Sequence, residues 1–425
     1  MLDLQLFRDS GAPEDVRESQ RRRGADATLV DAVIAADALW REQSKAAADA
    51  KHDLAKAKSA CRPQPGLEAE LHVRPSKAEL TALATSVAVT TEAQRNAQAA
   101  LQELVIRVGN LVHEDVPSAH LSQAPSESLA ILPHSSSQHQ AELLHAAALR
   151  RLFAAGLAEP VPSGSPGRWR PSQAALLLQQ EWCAYALEML ASRGYTQLTA
   201  PLPTTSDRRD KFERLCRERG ESSRAFPLGS TENALGALHA CSIIRPEELP
   251  LRYVLVDQGA RENAQGAVDW SEDGVCDEGC EDGVPSLWLH VACADDGSCW
   301  GALNELMQLA EELHAALHGM PTRTHEMRAE ELGLADAKAF TLNAALPRPE
   351  AHAVDQPARG IELARVSCEF DYRARRLGMR CGFKTMGERN KRHPHTLRAC
   401  LLRPSAALLA LGATQPDNGD ICAAK

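Results

Sequence analysis

The chain has 425 residues, with 47 Lys and Arg against 57 Asp and Glu and a formal net charge of −10. That length suits two or three domains around a large core. The acidic balance excludes a generally basic nucleic-acid binder and leaves room only for a local basic face. No run approaches the roughly 18 apolar residues of a membrane span. MLDLQLFRDS lacks a basic region followed by an apolar run, so no secretory signal is expected either.

Residues 27 to about 61 are rich in Ala, Lys, Asp and Glu and contain no Gly or Pro, which predicts a long helix. PQPG at 63–66 breaks it. Ser76 is a candidate N-cap, with Glu79 three residues later in capping-box spacing, and a second helix runs from there to about Val108, before Gly109. Two long helices joined by a short connection predict an antiparallel hairpin, either a solvated arm packed on itself or one that reaches a partner.

Residues 117 to about 172 are rich in Pro and Ser, with one helix-like piece, AELLHAAALRRLF, and read as a connector. Ser172 is the next candidate N-cap, for a helix through Trp182 and Leu190 to Gly194. Strand-like runs then alternate with helices: YTQLTAPL, LRYVLVDQ and SLWLHVACA, followed by NELMQLAEELHAALHG. Further helical segments are expected around ARVSCEFDYRARR and ACLLRPSAALLALG. The mixture predicts an α+β domain with an antiparallel sheet. There is no internal repeat and no Walker or dinucleotide glycine loop.

Twelve cysteines are scattered through the chain, and Cys276, Cys280, Cys293 and Cys299 are the only cluster. Their Cys-x3-Cys and Cys-x5-Cys spacings lack the tight paired ligands of a zinc site, so free thiols and no zinc are expected. From Glu262 to Thr322 there are thirteen acids and no Lys or Arg, six of the acids between Glu272 and Asp282. Such a run repels phosphate and reads most simply as a surface insertion.

Several stretches carry a resemblance. The N-terminal MLDLQLFRDSGAPEDVRESQRRRGADATLVDAVIAADALWR resembles the start of cytosolic eukaryotic seryl-tRNA synthetases. GNLVHEDVPS at 109–118 resembles the segment that leaves that family's coiled-coil arm. LASRGYTQLTAPL resembles class II motif 1, STENAL at 230–235 resembles the serine-site segment, and EELPLRY at 247–253 leads into motif 2. GIELARVSCEFDYRARRLGMR at 360–380 resembles a further family segment. The match is colinear over nearly the whole chain.

The resemblance implies a helical coiled-coil arm domain that binds tRNA at 1–118, a Pro/Ser-rich connector at 119–171 and a class II synthetase catalytic-type domain at 172–425. The last would be built on an antiparallel sheet with flanking helices. The implied partners are tRNA(Ser) and serine, with ATP and Mg2+ as cofactors, a homodimer through motif 1, no DNA, no membrane and a cytoplasmic location. The implied reaction is serine and ATP to seryl-adenylate, then transfer of the seryl group to tRNA.

By the same resemblance Arg261 would contact the α-phosphate. Glu362 would act near ATP and magnesium. Arg403, with Arg398 as the alternative, would stand for the motif 3 arginine. Ser230, Thr231 and Glu232 would hold serine, and Lys45, Lys51, Lys56 and Lys58 would line the arm against the RNA backbone. The departures matter as much. Asn263 stands where a glutamate is usual, the acidic run replaces the rest of motif 2, and Ala364 and Arg365 replace a serine pair. Arg365 either plugs the pocket or supplies missing positive charge. The two functional expectations are a serine–tRNA ligase of reduced activity and a catalytically inactive paralogue that keeps tRNA or partner binding.

Overall fold

The computed structural model describes residues 1–8, 10–60, 75–118, 146–160, 169–198, 238–257, 286–345, 360–383, 387 and 391–414. Two compact units are present, Met1–Leu111 and Val112–Lys425.

In the first unit a 3-10 turn, Leu4–Phe7, precedes α1 (Pro13–Arg22), α2 (Thr28–Ala60) and α3 (Lys77–Val105). Proline opens α1, where its missing N–H costs nothing. The start of α3 is fixed by a reciprocal cap: Ser76 Oγ accepts from the Glu79 N–H at 3.2 Å, and Glu79 accepts from the Ser76 N–H at 2.7 Å. α2 and α3 pack as a hairpin. Ser44 and Gln94 meet at 3.3 Å near the middle of both helices, and buried Ala47 and Ala97 leave room for close approach. α3 ends at Val105, three residues short of the expected Val108. Asp37 is a buried carboxylate on α2 held by the Arg8 guanidinium at 2.9 and 2.9 Å and by Arg41 at 3.0 Å.

In the second unit residues 146–154 are helical (α4). The two-stranded β1 (Ala158–Pro160) and β2 (Trp169–Pro171) follow. α5 (Gln173–Ser192) starts where expected, with the Ala175 N–H donating to Ser172 Oγ. A seven-stranded sheet then builds up from β3 (Thr196–Gln197), β5 (Leu251–Asp257), β6 (Ser286–Cys293), β7 (Thr322–Glu326), β8 (Lys338–Ala344), β9 (Ile361–Phe370) and β11 (His395–Leu402). Its order is β3-β5-β6-β11-β9-β8-β7, antiparallel except for β3 beside β5. β4 (Ile243–Ile244) pairs separately with β10 (Arg380–Cys381). The expected helical character around ARVSCEFDYRARR and ACLLRPSAALLALG is half right. Each is a strand followed by a helix: β9 then α7 (Tyr372–Leu377), and β11 then α8 (Pro404–Thr414). Alternating or continuous apolar runs of this length bury in the middle of a sheet.

One sheet face is the core. Leu287, Leu289 and Val291 of β6, Leu397, Ala399 and Leu401 of β11, and Ala364, Val366 and Cys368 of β9 pack under α6 (Asp296–His318). That helix is capped by Asp295 and closed by Gly319 in the left-handed conformation, φ 58°. Its end is pinned by a chain of histidines. The Met320 N–H donates to His318 Nδ1. His318 Nε2–H therefore donates to His314 Nδ1 at 2.8 Å, and His314 Nε2–H donates to the Leu401 carbonyl at 3.0 Å. Burial pushes these imidazoles down to about 3 for His314 and about 4 for His318, so both are neutral. Gly412 of α8 admits α4: a Cβ there would stand 2.8 Å from the Ala148 carbonyl oxygen.

Candidate active site

The opposite face of the sheet is charged. In an antiparallel sheet, residues paired across strands share a face. Arg365 of β9 pairs with Cys400, Ser367 pairs with Arg398, and on the other side Arg398 pairs with His290, which pairs with Tyr253. The alternation in ARVSCEF delivers this directly: Arg365, Ser367 and Glu369 face one way while Ala364, Val366 and Cys368 enter the core.

Glu362 is three residues from Arg365, so in a regular strand the two would face opposite ways. A register shift corrects this: Leu342 pairs with Ala364, but the next residue, Asn343, pairs with Glu362. The extra residue, Leu363, re-aims the end of the strand. Glu362 and Arg365 then form a two-pronged pair, with Arg365 Nε donating to Oε1 at 3.1 Å and Nη2 to Oε2 at 3.0 Å. Arg403, just past the end of β11, places Nη1 3.2 Å from Glu362 Oε1 and donates from Nε to Cys400 Sγ at 3.4 Å. Burial raises the Cys400 thiol, so it is a neutral acceptor.

Further along β9 a second cluster forms. Arg373, from the first turn of α7, donates from Nε to both oxygens of Glu369 at 2.9 and 2.8 Å, and Thr396 Oγ1 donates to Oε2 at 2.8 Å. The Glu369 side chain is fully buried. Arg398 lies between Glu369 (3.9 Å) and Asp336 (3.8 Å), with its guanidinium 5.9 Å from the Trp288 ring centre. His290 is buried beside this group. Burial, with smaller contributions from Arg373 and His239, holds it down to about 3, so it is neutral. Its Nε2 has no hydrogen-bond partner among the described residues. His239 stacks on Tyr253 at 5.6 Å, and its Nε2 lies 2.9 Å from the Tyr253 hydroxyl.

Of the residues singled out from sequence, Glu362 and Arg403 come together, although 41 positions separate them. Arg398, the alternative to Arg403, belongs to the Glu369 cluster instead. Arg365 is engaged with Glu362. Arg261, Ser230, Thr231 and Glu232 lie outside the described residues, as do Cys276 and Cys280. Cys293 and Cys299 are buried thiols, and Cys299 Sγ is 3.3 Å from Cys368 Sγ. Sequence reasoning missed Glu369, Thr396, Asp336 and His290, and read Arg373 only as part of a basic run that could add to an RNA face, whereas it is bonded to Glu369. The period-2 alternation in ARVSCEF was a usable signal for Glu369.

Glu362 does not fit the implied Mg2+. That ion demands near-octahedral oxygen donors at about 2.0–2.1 Å. Both Glu362 oxygens already meet guanidinium nitrogens, and two cations sit where a third would have to enter. Among the described residues no group of three or more His, Cys, Asp or Glu converges.

On α2 the lysines expected to meet RNA are all exposed but divide into two rows. Arg41, Lys45, His52 and Lys56 recur at steps of four, seven and four, which keeps them on one helical face. Lys51 and Lys58, seven apart, lie on another.

The chain is similar to known proteins along most of its length. The seryl-tRNA synthetase N-terminal domain matches residues 1–112. The serine–tRNA ligase of Helianthus annuus is 27% identical over 427 residues, covering 97% of this chain and 92% of that protein. The cytoplasmic serine–tRNA ligase of Arabidopsis thaliana is 28% identical, covering 94% and 88%. Two crystal structures share the fold. The cytoplasmic serine–tRNA ligase of Naegleria fowleri in complex with AMP has a TM-score of 0.71 at 22% identity, covering 99% of this chain and 94% of that one. The seryl-tRNA synthetase of Pyrococcus horikoshii complexed with ATP has a TM-score of 0.72 at 20% identity, covering 98% and 95%. Residues 1–112 match the seryl-tRNA synthetase N-terminal domain, and the chain is similar to serine–tRNA ligases over most of its length.

Proposed function

We propose that the chain is a serine–tRNA ligase of reduced activity, with its chemistry on the charged face of the sheet. The carrying observation is the meeting of Glu362, Arg365 and Arg403, from β9 and the end of β11, on the face opposite the core. In the proposed reaction a serine carboxylate oxygen attacks the α-phosphorus of ATP, the bond to pyrophosphate breaks, and the seryl group then passes from the adenylate to tRNA(Ser). The developing negative charge needs fixed cations, which Arg365 and Arg403 supply together with Arg261. Serine would be held by Ser230, Thr231 and Glu232.

The arm would hold tRNA(Ser) through the two basic rows of α2, at a salt-dependent affinity. A homodimer through the motif 1 region and a cytoplasmic location complete the reading. Asn263 in place of a glutamate and the acid-rich run after it favour reduced activity, since removing one preorganised contact costs about 10²–10³ in rate. The same departures favour a second reading, an inactive paralogue that keeps tRNA binding.

Serine-dependent ATP–pyrophosphate exchange separates the two. Slow exchange above a serine-free blank, lost in Arg403→Ala, supports the ligase. No exchange, with specific tRNA(Ser) binding retained, sinks it in favour of the paralogue.

A further inference from the structure

The three side chains at the Glu362 end of β9 carry a net charge of +1: one carboxylate between two guanidiniums. Their side chains are 15% (Glu362), 15% (Arg365) and 10% (Arg403) exposed, so water screens them little. The arrangement is built rather than incidental, because it needs the extra residue at Leu363 to bring Glu362 onto the face of Arg365.

A divalent cation bound by Glu362 would have to displace guanidinium donors from both of its oxygens and then stand within a few ångströms of two like charges. A guanidinium, by contrast, is permanently charged, weakly hydrated and planar, and its five N–H donors allow one group to address a carboxylate and a phosphate together. The chemistry of the cluster therefore suits anionic oxygen without metal.

We propose that Arg365 and Arg403 take the place of a divalent cation beside Glu362, so that this face binds the phosphates of an adenine nucleotide without a metal ion. The inference rests on the nucleotide site assigned above and adds what neutralises the phosphates there. Arg365 carries the substitution, because its fork closes both Glu362 oxygens.

The test is calorimetric titration of the full chain with ATP, in excess Mg2+ and in EDTA, for the wild type and for Arg365→Ser. The wild type is expected to bind in both solutions with dissociation constants within about threefold of each other. Arg365→Ser, which uncovers the carboxylate, is expected to bind at least about tenfold more tightly with Mg2+ than with EDTA. Wild-type binding that strengthens tenfold or more with Mg2+ overturns the inference and leaves the nucleotide site standing. Absence of ATP binding in both solutions overturns the two together. An Arg365→Ser protein as metal-indifferent as the wild type also overturns it. Should that variant fail to unfold cooperatively, Arg365→Lys, which keeps the charge and loses the fork, takes its place with the same expected direction. The wild-type pair of titrations decides in any case.

Discussion

The two faces of the seven-stranded sheet are made by the same strands and hold together in different ways. On one, Leu287, Leu289, Val291, Leu397, Leu401 and Val366 bury under the helix Asp296–His318. Burial of that kind is non-directional and answers to volume. On the other, Glu362, Glu369, Arg365, Arg373, Arg398 and Arg403 are matched pair by pair at hydrogen-bond or ion-pair distance. There the loss of one member strands a buried charge. The comparison teaches that the apolar face answers to the volume that fills it, while on the charged face each buried group depends on its own partner.

The comparison is broken most severely by Glu369→Ala. It leaves Arg373 buried with no carboxylate at Nε, so unfolding free energy should fall by about 3–5 kcal/mol, read from the urea midpoint. A loss under about 1 kcal/mol would show that the charged face is not paired as described. Leu306→Ala, at a fully buried position of the helix, should cost about 3 kcal/mol, whereas Leu306→Met should cost under about 1.5 kcal/mol. Equal losses for both would contradict the volume rule on the apolar face.

Acid should act on buried neutral histidines next. His290 is held at about 3 in the folded chain, against the ordinary 6.5. The unfolded state therefore binds the proton first as pH falls. The stability due to neutral His290 is complete above pH 6.5 and is lost on going down towards pH 3. At pH 5 the loss is about 2 kcal/mol for this group, and His290→Leu should flatten the urea-midpoint profile between pH 6.5 and 5. The smallest effect belongs to Arg193→Ala. Its pair with Glu312, 2.8 Å apart and half exposed on both sides, should be worth under about 1 kcal/mol.

Much of the fold was legible because its signals are local. The Ser76–Glu79 box and the Ser172 cap each depend on a few neighbouring residues, and both stand where the sequence put them. The charged face was less legible because its partners are distant and its register is irregular. Nothing local announces that Leu363 is an extra residue, and without that shift Glu362 and Arg365 would be placed on opposite faces. Arg403 reaches Glu362 only because β11 lies beside β9, and Arg398 is drawn to Glu369 and Asp336 for the same reason. Strand pairing is a long-range choice that a motif reading does not contain.

The most direct measurement is serine-dependent ATP–pyrophosphate exchange on the wild type, Arg403→Ala and Arg193→Ala, each with its urea midpoint. Exchange in the wild type should be slow but above the serine-free blank, unchanged in Arg193→Ala, and reduced by about 10²-fold or to the blank in Arg403→Ala. Exchange that is absent from the wild type, or that survives Arg403→Ala undiminished, would contradict the assignment of serine activation to the charged face.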